Sequence, residues 1–345
     1  MSLAPRTSNL TGVDPDAASA EAVQGVLQLS GRLALHHGGS LDQPALGWRL
    51  AGKPGAPVVA ALGGISAHRR VFDGDDARAG WWGEIAGAGR ALDSLRVRVL
   101  GIDYLGGSGE SSAPSAGGVF PSLSSYDQAE ALRRLLDHLK IARLRAIVGA
   151  SYGGMVALAF AERFADRVEQ LLIISAADRT HPMATAWRSV QRRTVRFALA
   201  AGHATEGMEL ARALAMATYR SPQEFATRFS AAPRQIDGHY VFPVEDYLFA
   251  RGRDYAARYR AESFLCLSES IDLHAIDATR VATPCIVVAV REDQLVPIGD
   301  MRALAARLPH AQLHELSSPH GHDAFLKEAA ALQPIFEPLY GVALK

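Results

Sequence analysis

Apolar residues follow two patterns along this chain. Short strand-like runs fill its first half and its last quarter, and a long stretch of helical period lies between them. From Val26 to Leu50, alternating segments (VLQLS, RLALHH, ALGWRLAG) predict an antiparallel β start. Lys53 to Pro57 is a Pro/Gly turn, and Val58 to Leu62 then reads as a buried strand. Gly80-Trp81-Trp82-Gly83 through Asp93 predicts a loop and a short helix, and Arg96 to Ile102 a further strand. Over Tyr126 to Leu139, Ala129, Leu132, Leu135, Leu136 and Leu139 share one helix side, with Arg133, Arg134 and Asp137 as a solvated face. Arg145 to Leu158 (RAIVGASYGGMVAL) reads as strand, tight turn and helix, and Val168 to Ser175 as a buried strand.

At Ala176 the pattern changes. Asp178 to about Asp277 holds helix-like segments such as TAWRSVQRRTVRFALAAG and EGMELARALAMATY, with few strand signals. Strand character returns at Pro284 to Val290, followed by a short helix (Met301 to Leu308) and a strand (Gln312 to Leu316). Strands alternating with helices imply an α/β fold with a doubly wound, mostly parallel sheet. The expected organisation is a flexible N-terminal arm (1–25), a core (26–177 and 278–345) and an inserted helical lid (178–277).

Composition narrows the function classes. With 36 Lys+Arg against 36 Asp+Glu the formal charge is zero, which supports neither a nucleic-acid nor a membrane-surface partner. The N-terminus is polar and lacks an apolar signal core, and no uninterrupted apolar stretch is long enough to span a bilayer. Two cysteines, Cys266 and Cys285, make neither a disulfide framework nor a metal-ligand spacing, so a reducing cytoplasm is the expected compartment. No metal or bound organic cofactor is indicated.

The chemistry concentrates at strand ends. Gly149-Ala150-Ser151-Tyr152-Gly153 has the G-x-S-x-G form of a nucleophile elbow, the strand-turn-helix that exposes a serine in the α/β-hydrolase fold. The helix beginning behind Ser151 adds positive potential where an oxyanion would form. Gly63-Gly64, straight after the buried strand, fits the loop that supplies a second oxyanion N–H, with Leu62 or Gly63 as donor beside Tyr152. A nucleophilic serine needs a base, and the base needs a carboxylate to orient it. Asp293 follows the strand ending at Val290, and His322 follows the strand ending near Leu316, in the order serine, acid, histidine. Neighbours compete for these roles. Glu292 adjoins Asp293 but points elsewhere in a tight loop, and Gly321 gives His322 a freer loop position than His320. The glycine cluster Gly106-Gly107-Ser108-Gly109 lacks the Gly-Lys-Ser/Thr ending of a phosphate loop, and Asp103 before it reads as a structural cap.

Taken together, Gly80-Trp81-Trp82, the 106–109 cluster, the elbow, Glu245-Asp246-Tyr247-Leu248 and Gly321-His322-Asp323-Ala324-Phe325-Leu326 resemble the homoserine O-acyltransferase family of the α/β-hydrolase superfamily. The resemblance covers roughly residues 30 to 335. It implies methionine biosynthesis by two-step transfer: Ser151 takes an acyl group from acyl-CoA, a substrate, and the hydroxyl of homoserine removes it. His322 would be the acid/base and Asp293 the orienting carboxylate. The lid pattern over Ala211 to Tyr219 implies Arg212 and Tyr219 as substrate-binding residues, with Asp323 as a third. This suits a zwitterion, whose carboxylate wants a guanidinium and whose ammonium wants an anion. The bland roles are a surface arginine for Arg212 and a helix N-cap for Asp323. A homodimer through the lid helices is also implied.

The cues for the acyl group conflict. The short chain and the wording Gly-Gly-Ile-Ser-Ala-His resemble the succinyl-transferring branch, and Arg69, Arg70 or Arg291 would then meet the succinyl carboxylate. Leu295, two residues after Asp293, resembles the acetyl-transferring members instead. The reading leans slightly to succinyl-CoA, with acetyl transfer and serine as acceptor left open. An ester or thioester hydrolase using water, or a non-catalytic binding protein, are the alternatives from other classes.

Overall fold

The computed structural model describes residues 22–73 and 79–341. The first half contributes strands β1 (Ala22–Gln28), β2 (Arg32–Ala34), β3 (Ser40–Asp42), β4 (Ala45–Gly52), β5 (Val58–Leu62), β6 (Ala86–Gly87), β7 (Leu92–Asp93) and β8 (Arg98–Ile102). Helix α1 (Ser125–His138), strand β9 (Ala146–Ala150), helix α2 (Tyr152–Arg163) and strand β10 (Leu171–Ile174) follow. The chain then forms α3 (Pro182–Ala200), α4 (Ala204–Tyr219), α5 (Pro222–Arg228), a hairpin of β11 (Arg234–Ile236) and β12 (His239–Val241), α6 (Pro243–Ala256) and α7 (Ala261–Asp272). It closes with β13 (Cys285–Val290), α8 (Ile298–Arg307), β14 (Ala311–Leu316), α9 (Ala324–Lys327) and α10 (Ala329–Phe336).

Eight strands make one sheet in the order β1-β4-β8-β5-β9-β10-β13-β14. Only β4 runs against its neighbours, β1 and β8, and the remaining pairings are parallel. The doubly wound, mostly parallel sheet expected from the alternation of elements is the α/β-hydrolase architecture. Its central strands read as unbroken apolar runs (CIVVAV in β13, LLII in β10) because helices cover both faces. Side chains of one strand divide between two cores at period two. Leu171 and Ile173 join α1 and α2 on one face, while Leu172 and Ile174 join Trp82, Ile85 and Phe336 on the other. Helix α1 buries Ala129, Leu132, Leu135 and Leu136, and Asp127 closes its capping box on the Ser124 N–H at 2.7 Å.

Two expectations need correction. Residues 80–93 form no helix; they turn and end in the short parallel pair β6–β7. Tertiary anchors decide this: the Trp82 ring N–H donates to the Phe325 carbonyl at 2.7 Å and that of Trp81 to the His68 carbonyl at 3.0 Å. Glycines at 83, 87 and 89 weaken any helical competitor. The stretch between β10 and β13 is also not purely helical, because Arg234 to Val241 folds as a hairpin around Asp237-Gly238. Asp-Gly between short alternating segments is a hairpin signal that the helical period masked. Of the expected arm, Ala22 to Gly25 belong to β1, and residues 1–21 lie outside the described residues. Among the described residues no helix is long and apolar enough to cross a membrane.

Candidate active site

Strand β9 delivers Ser151 and helix α2 leaves it. The turn is so tight that Ser151 takes φ +55° and ψ −125°, a conformation an L-residue adopts only when its surroundings enforce it. Its neighbours must be glycine. A Cβ on Gly149 would run into the Gly153 carbonyl, and one on Gly153 into that of Leu62. The Gly153 N–H donates to the Gly63 carbonyl at 2.9 Å, which clamps the loop after β5 against the elbow. Leu62 and Gly63 therefore lie against the helix start that follows Ser151. The Tyr152 N–H starts α2 without an intrahelical partner, and its side chain is buried, with its hydroxyl 2.6 Å from Ser270 Oγ.

The other two loops converge on this serine. His322 Nε2 lies 2.8 Å from Ser151 Oγ, and His322 Nδ1 lies 2.7 Å from Asp293 Oδ2. Asp293 is held by the N–H groups of Leu295 (2.8 Å) and Val296 (3.0 Å), which donate to Oδ1. Burial alone would lower the proton affinity of His322. The charge and hydrogen bond of Asp293, with a contribution from Asp323, outweigh it and leave the imidazole pKa above the ordinary 6.5. Such an imidazole is a stronger base than a free one, held in the tautomer that accepts the serine proton. The rivals are occupied elsewhere. Glu292 accepts from Ser317 Oγ (2.6 Å) and the Ser318 N–H (2.8 Å), and His320 lies 2.6 Å from Arg220 Nη1.

Ser151 and His322 open into a cavity of about 600 Å³ beneath α3, α4 and α6. Arg212 and Tyr219, two turns apart on α4, both line it, with Arg212 Nη1 3.2 Å from the Tyr219 hydroxyl. The guanidinium sits over the rings of Tyr219 (5.0 Å) and Tyr255 (4.7 Å). No described carboxylate lies within ion-pair distance of Arg212, which faces the cavity. Asp323 also lines the cavity, and its carboxylate pairs with Arg220 at 3.1 Å. It precedes α9 without capping it, so the N-cap role is not what holds it.

Three further outcomes bear on the expectations. The 106–109 cluster is filled by the chain itself: the Gly107 carbonyl accepts from Ser263 Oγ (2.9 Å) and Arg260 Nη2 (3.0 Å), which docks the start of α7. Asp103 accepts the N–H groups of Arg69 and Glu110, a structural role. None of the three arginines expected for a succinyl carboxylate lines the cavity. Arg69 is bound by Glu110 (2.6 Å) and Asp103 (3.6 Å), Arg291 pairs with Glu315 at 3.4 Å, and Arg70 is buried outside the cavity wall. They lie on the wrong faces of their loops, which adjacency to Gly64 or Asp293 in sequence does not reveal.

The family model for the alpha/beta hydrolase fold matches residues 64–329. Homoserine O-succinyltransferase of Xanthomonas campestris is 44% identical, over 97% of this chain and 90% of its own. Homoserine O-acetyltransferase of Deinococcus radiodurans is 35% identical over 91% of each. The chain belongs to the homoserine O-acyltransferase family. The crystal structure of homoserine O-acetyltransferase from Bacillus anthracis superposes with a TM-score of 0.84 over 95% of this chain and 99% of its own; at 17% identity it shows the shared fold. Within this family member, sequence reasoning passed over Tyr255 and Tyr259. Their rings stack at 5.0 Å, and the Tyr259 hydroxyl donates to the Ile65 carbonyl at 2.7 Å, tying the turn after α6 to the loop after β5. Their spacing of four on a helical segment was the available signal.

Proposed function

We propose that the protein transfers an acyl group from acyl-CoA to L-homoserine, with succinyl-CoA as donor, in methionine biosynthesis. The observation that carries this is the hydrogen-bonded line Ser151–His322–Asp293 opening into a cavity whose wall holds Arg212 with no described carboxylate in ion-pair range. The 44% identity to a succinyltransferase supports the donor.

In the first half-reaction Ser151 Oγ gives its proton to His322 Nε2 and attacks the thioester carbonyl carbon. The tetrahedral oxyanion is met by the Tyr152 N–H and that of Leu62 or Gly63. The C–S bond then breaks, His322 returns the proton to the departing sulfur, and free CoA leaves an ester on Ser151. In the second, the homoserine hydroxyl passes its proton to His322 while its oxygen attacks the ester carbon. The bond to Ser151 Oγ breaks, Ser151 recovers the proton, and the O-acyl amino acid is released. Arg212 and Tyr219 bind the acceptor carboxylate, and Asp323 its ammonium.

The segment 178–277 acts as a lid that keeps water from the acyl-enzyme, over a core of 26–177 and 278–345. A second copy of this chain covers the lid. Met183, Val190 and Phe197 recur every seven residues on α3, each at least half exposed, a stripe suited to a homodimer. The free thiols of Cys266 and Cys285 suit a cytoplasmic enzyme. The test is CoA release from succinyl-CoA and acetyl-CoA with homoserine, with serine and with neither. Release that requires homoserine and is faster from succinyl-CoA is expected. Release independent of any acceptor would mark a thioester hydrolase.

A further inference from the structure

The wall of the cavity formed by α3 carries a second set of donors. Helix α3 presents Arg188 and Gln191, three residues apart and so on one face, and both line the same cavity as Ser151. The Arg188 side chain is only 11% exposed. Its Nε (2.9 Å) and Nη2 (2.6 Å) donate to Asp272 Oδ1, while Nη1 makes no hydrogen bond to any described group. Asp272 does not neutralise this wall, because its other oxygen takes Arg192 Nη1 at 2.5 Å. Burial works against the Asp272 charge, but the two guanidiniums and Thr185 outweigh it and hold the carboxyl below its usual range. One carboxylate thus serves two buried cations, and a net positive charge is left at the cavity surface. Gln191 is 5% exposed, and its side-chain amide makes no hydrogen bond to any described residue. Both side chains face the cavity, so a bound ligand can supply the acceptors that no described group gives them.

We infer that Arg188 Nη1 and the Gln191 amide form an anion subsite for the distal carboxylate of a dicarboxylic acyl group carried on Ser151. The inference rests on the acyl-transfer reading above and names the substrate class that this reading takes. In a four-carbon diacid the distal carboxylate lies roughly 4–5 Å from the reacting carbon, three C–C bonds away. Arg188, Gln191 and Ser151 line one and the same cavity, as an acyl group on Ser151 with a distal carboxylate requires. The other cations of the cavity are poorer candidates: the Arg179 side chain is 67% exposed and pairs with Asp178, and Arg258 is exposed. Arg212 lies on a different helix, beside Tyr219, where the acceptor is bound.

The test compares Arg188→Met and Gln191→Glu with the wild type, using succinyl-CoA and acetyl-CoA. Acylation of Ser151 without acceptor is followed by mass spectrometry, and steady-state rates are measured with homoserine. For Arg188→Met the ratio of kcat/KM for succinyl-CoA over acetyl-CoA should fall about 100-fold, the loss typical of a buried charged hydrogen bond. Gln191→Glu keeps the side-chain volume and Arg188 in place but adds a like charge, and should lower the same ratio at least about tenfold. The homoserine KM should stay within about threefold in both. An unchanged ratio in the two variants, or equal losses on both donors, would overturn the subsite. A homoserine KM that rises while the donor ratio holds would give these residues to the acceptor instead. Wild type acylated by acetyl-CoA alone would sink this inference and leave acyl transfer standing, whereas no acylation from either donor would sink both.

Discussion

The strand-end loops and the helices above them treat polar groups in opposite ways. Below, the relay satisfies itself: Ser151 has His322, His322 has Asp293, and Asp293 has two backbone N–H groups. Above, Arg212 has two aromatic rings and a phenol, and Arg188 and Gln191 keep donors that no described group accepts. Preorganisation explains the first arrangement, since a relay acting on a transient oxyanion must not reorganise as charge develops. Recognition explains the second, because donors left open in a substrate cavity reward the one substrate that fills them and penalise those that do not. In the function we propose, the loops carry the reaction and the helices choose its reactants.

That division predicts different failures. Ser151→Ala should lower kcat by about 10⁴-fold or more and abolish the acyl adduct seen by mass spectrometry, with Tm within about 2 °C of wild type. Residual turnover at the wild-type rate would remove Ser151 from the chemistry. Asp293→Asn should lower kcat/KM by about 10³- to 10⁴-fold. It should also move the pH profile. In the wild type the base is lost as pH falls through a midpoint above 6.5, because Asp293 raises the proton affinity of His322. Without that charge the midpoint should drop, and an acid limb that stays in place would uncouple the two residues.

The helices should respond in binding instead. Arg212→Ala should raise the homoserine KM by about 10²-fold, with kcat within a few-fold of wild type. An unchanged KM would misplace the acceptor. The smallest effect belongs to the tie between the two regions. Tyr259→Phe deletes the bond to the Ile65 carbonyl and should cost about 1 kcal/mol in denaturant unfolding, leaving acylation of Ser151 intact. Loss of acylation there would show that the helices set the relay geometry as well.

Much of the lower region is legible along the chain. G-x-S-x-G demands its turn locally, and Asp293 and His322 can be found by counting from apolar runs that must be buried strands. The choice of His322 over His320 and of Asp293 over Glu292 agrees with the geometry, although Gly321 was only an indirect cue. The upper region is less legible. Arg212 and Tyr219 emerge from a seven-residue spacing and a family resemblance, yet the arginines first expected for an acyl carboxylate point away from the cavity. Which of many arginines on amphipathic helices lacks a full counterion is a property of packing, and Asp272 lies more than eighty positions from Arg188.

By itself the sequence determined the parallel sheet, the order of nucleophile, acid and base, and the helical character of the insertion. Each follows from local rules: unbroken apolar runs, glycines where a Cβ would collide, and residues placed just past strand ends. Only the tertiary structure decided the rest. It turned residues 80–93 into an anchored loop through Trp81 and Trp82, and it filled the 106–109 glycines with the chain's own α7. It also set two guanidiniums against one carboxylate at the cavity wall. Such outcomes depend on which distant groups reach each other's hydrogen-bonding range, and burial multiplies their electrostatic weight only once the helices have closed over them.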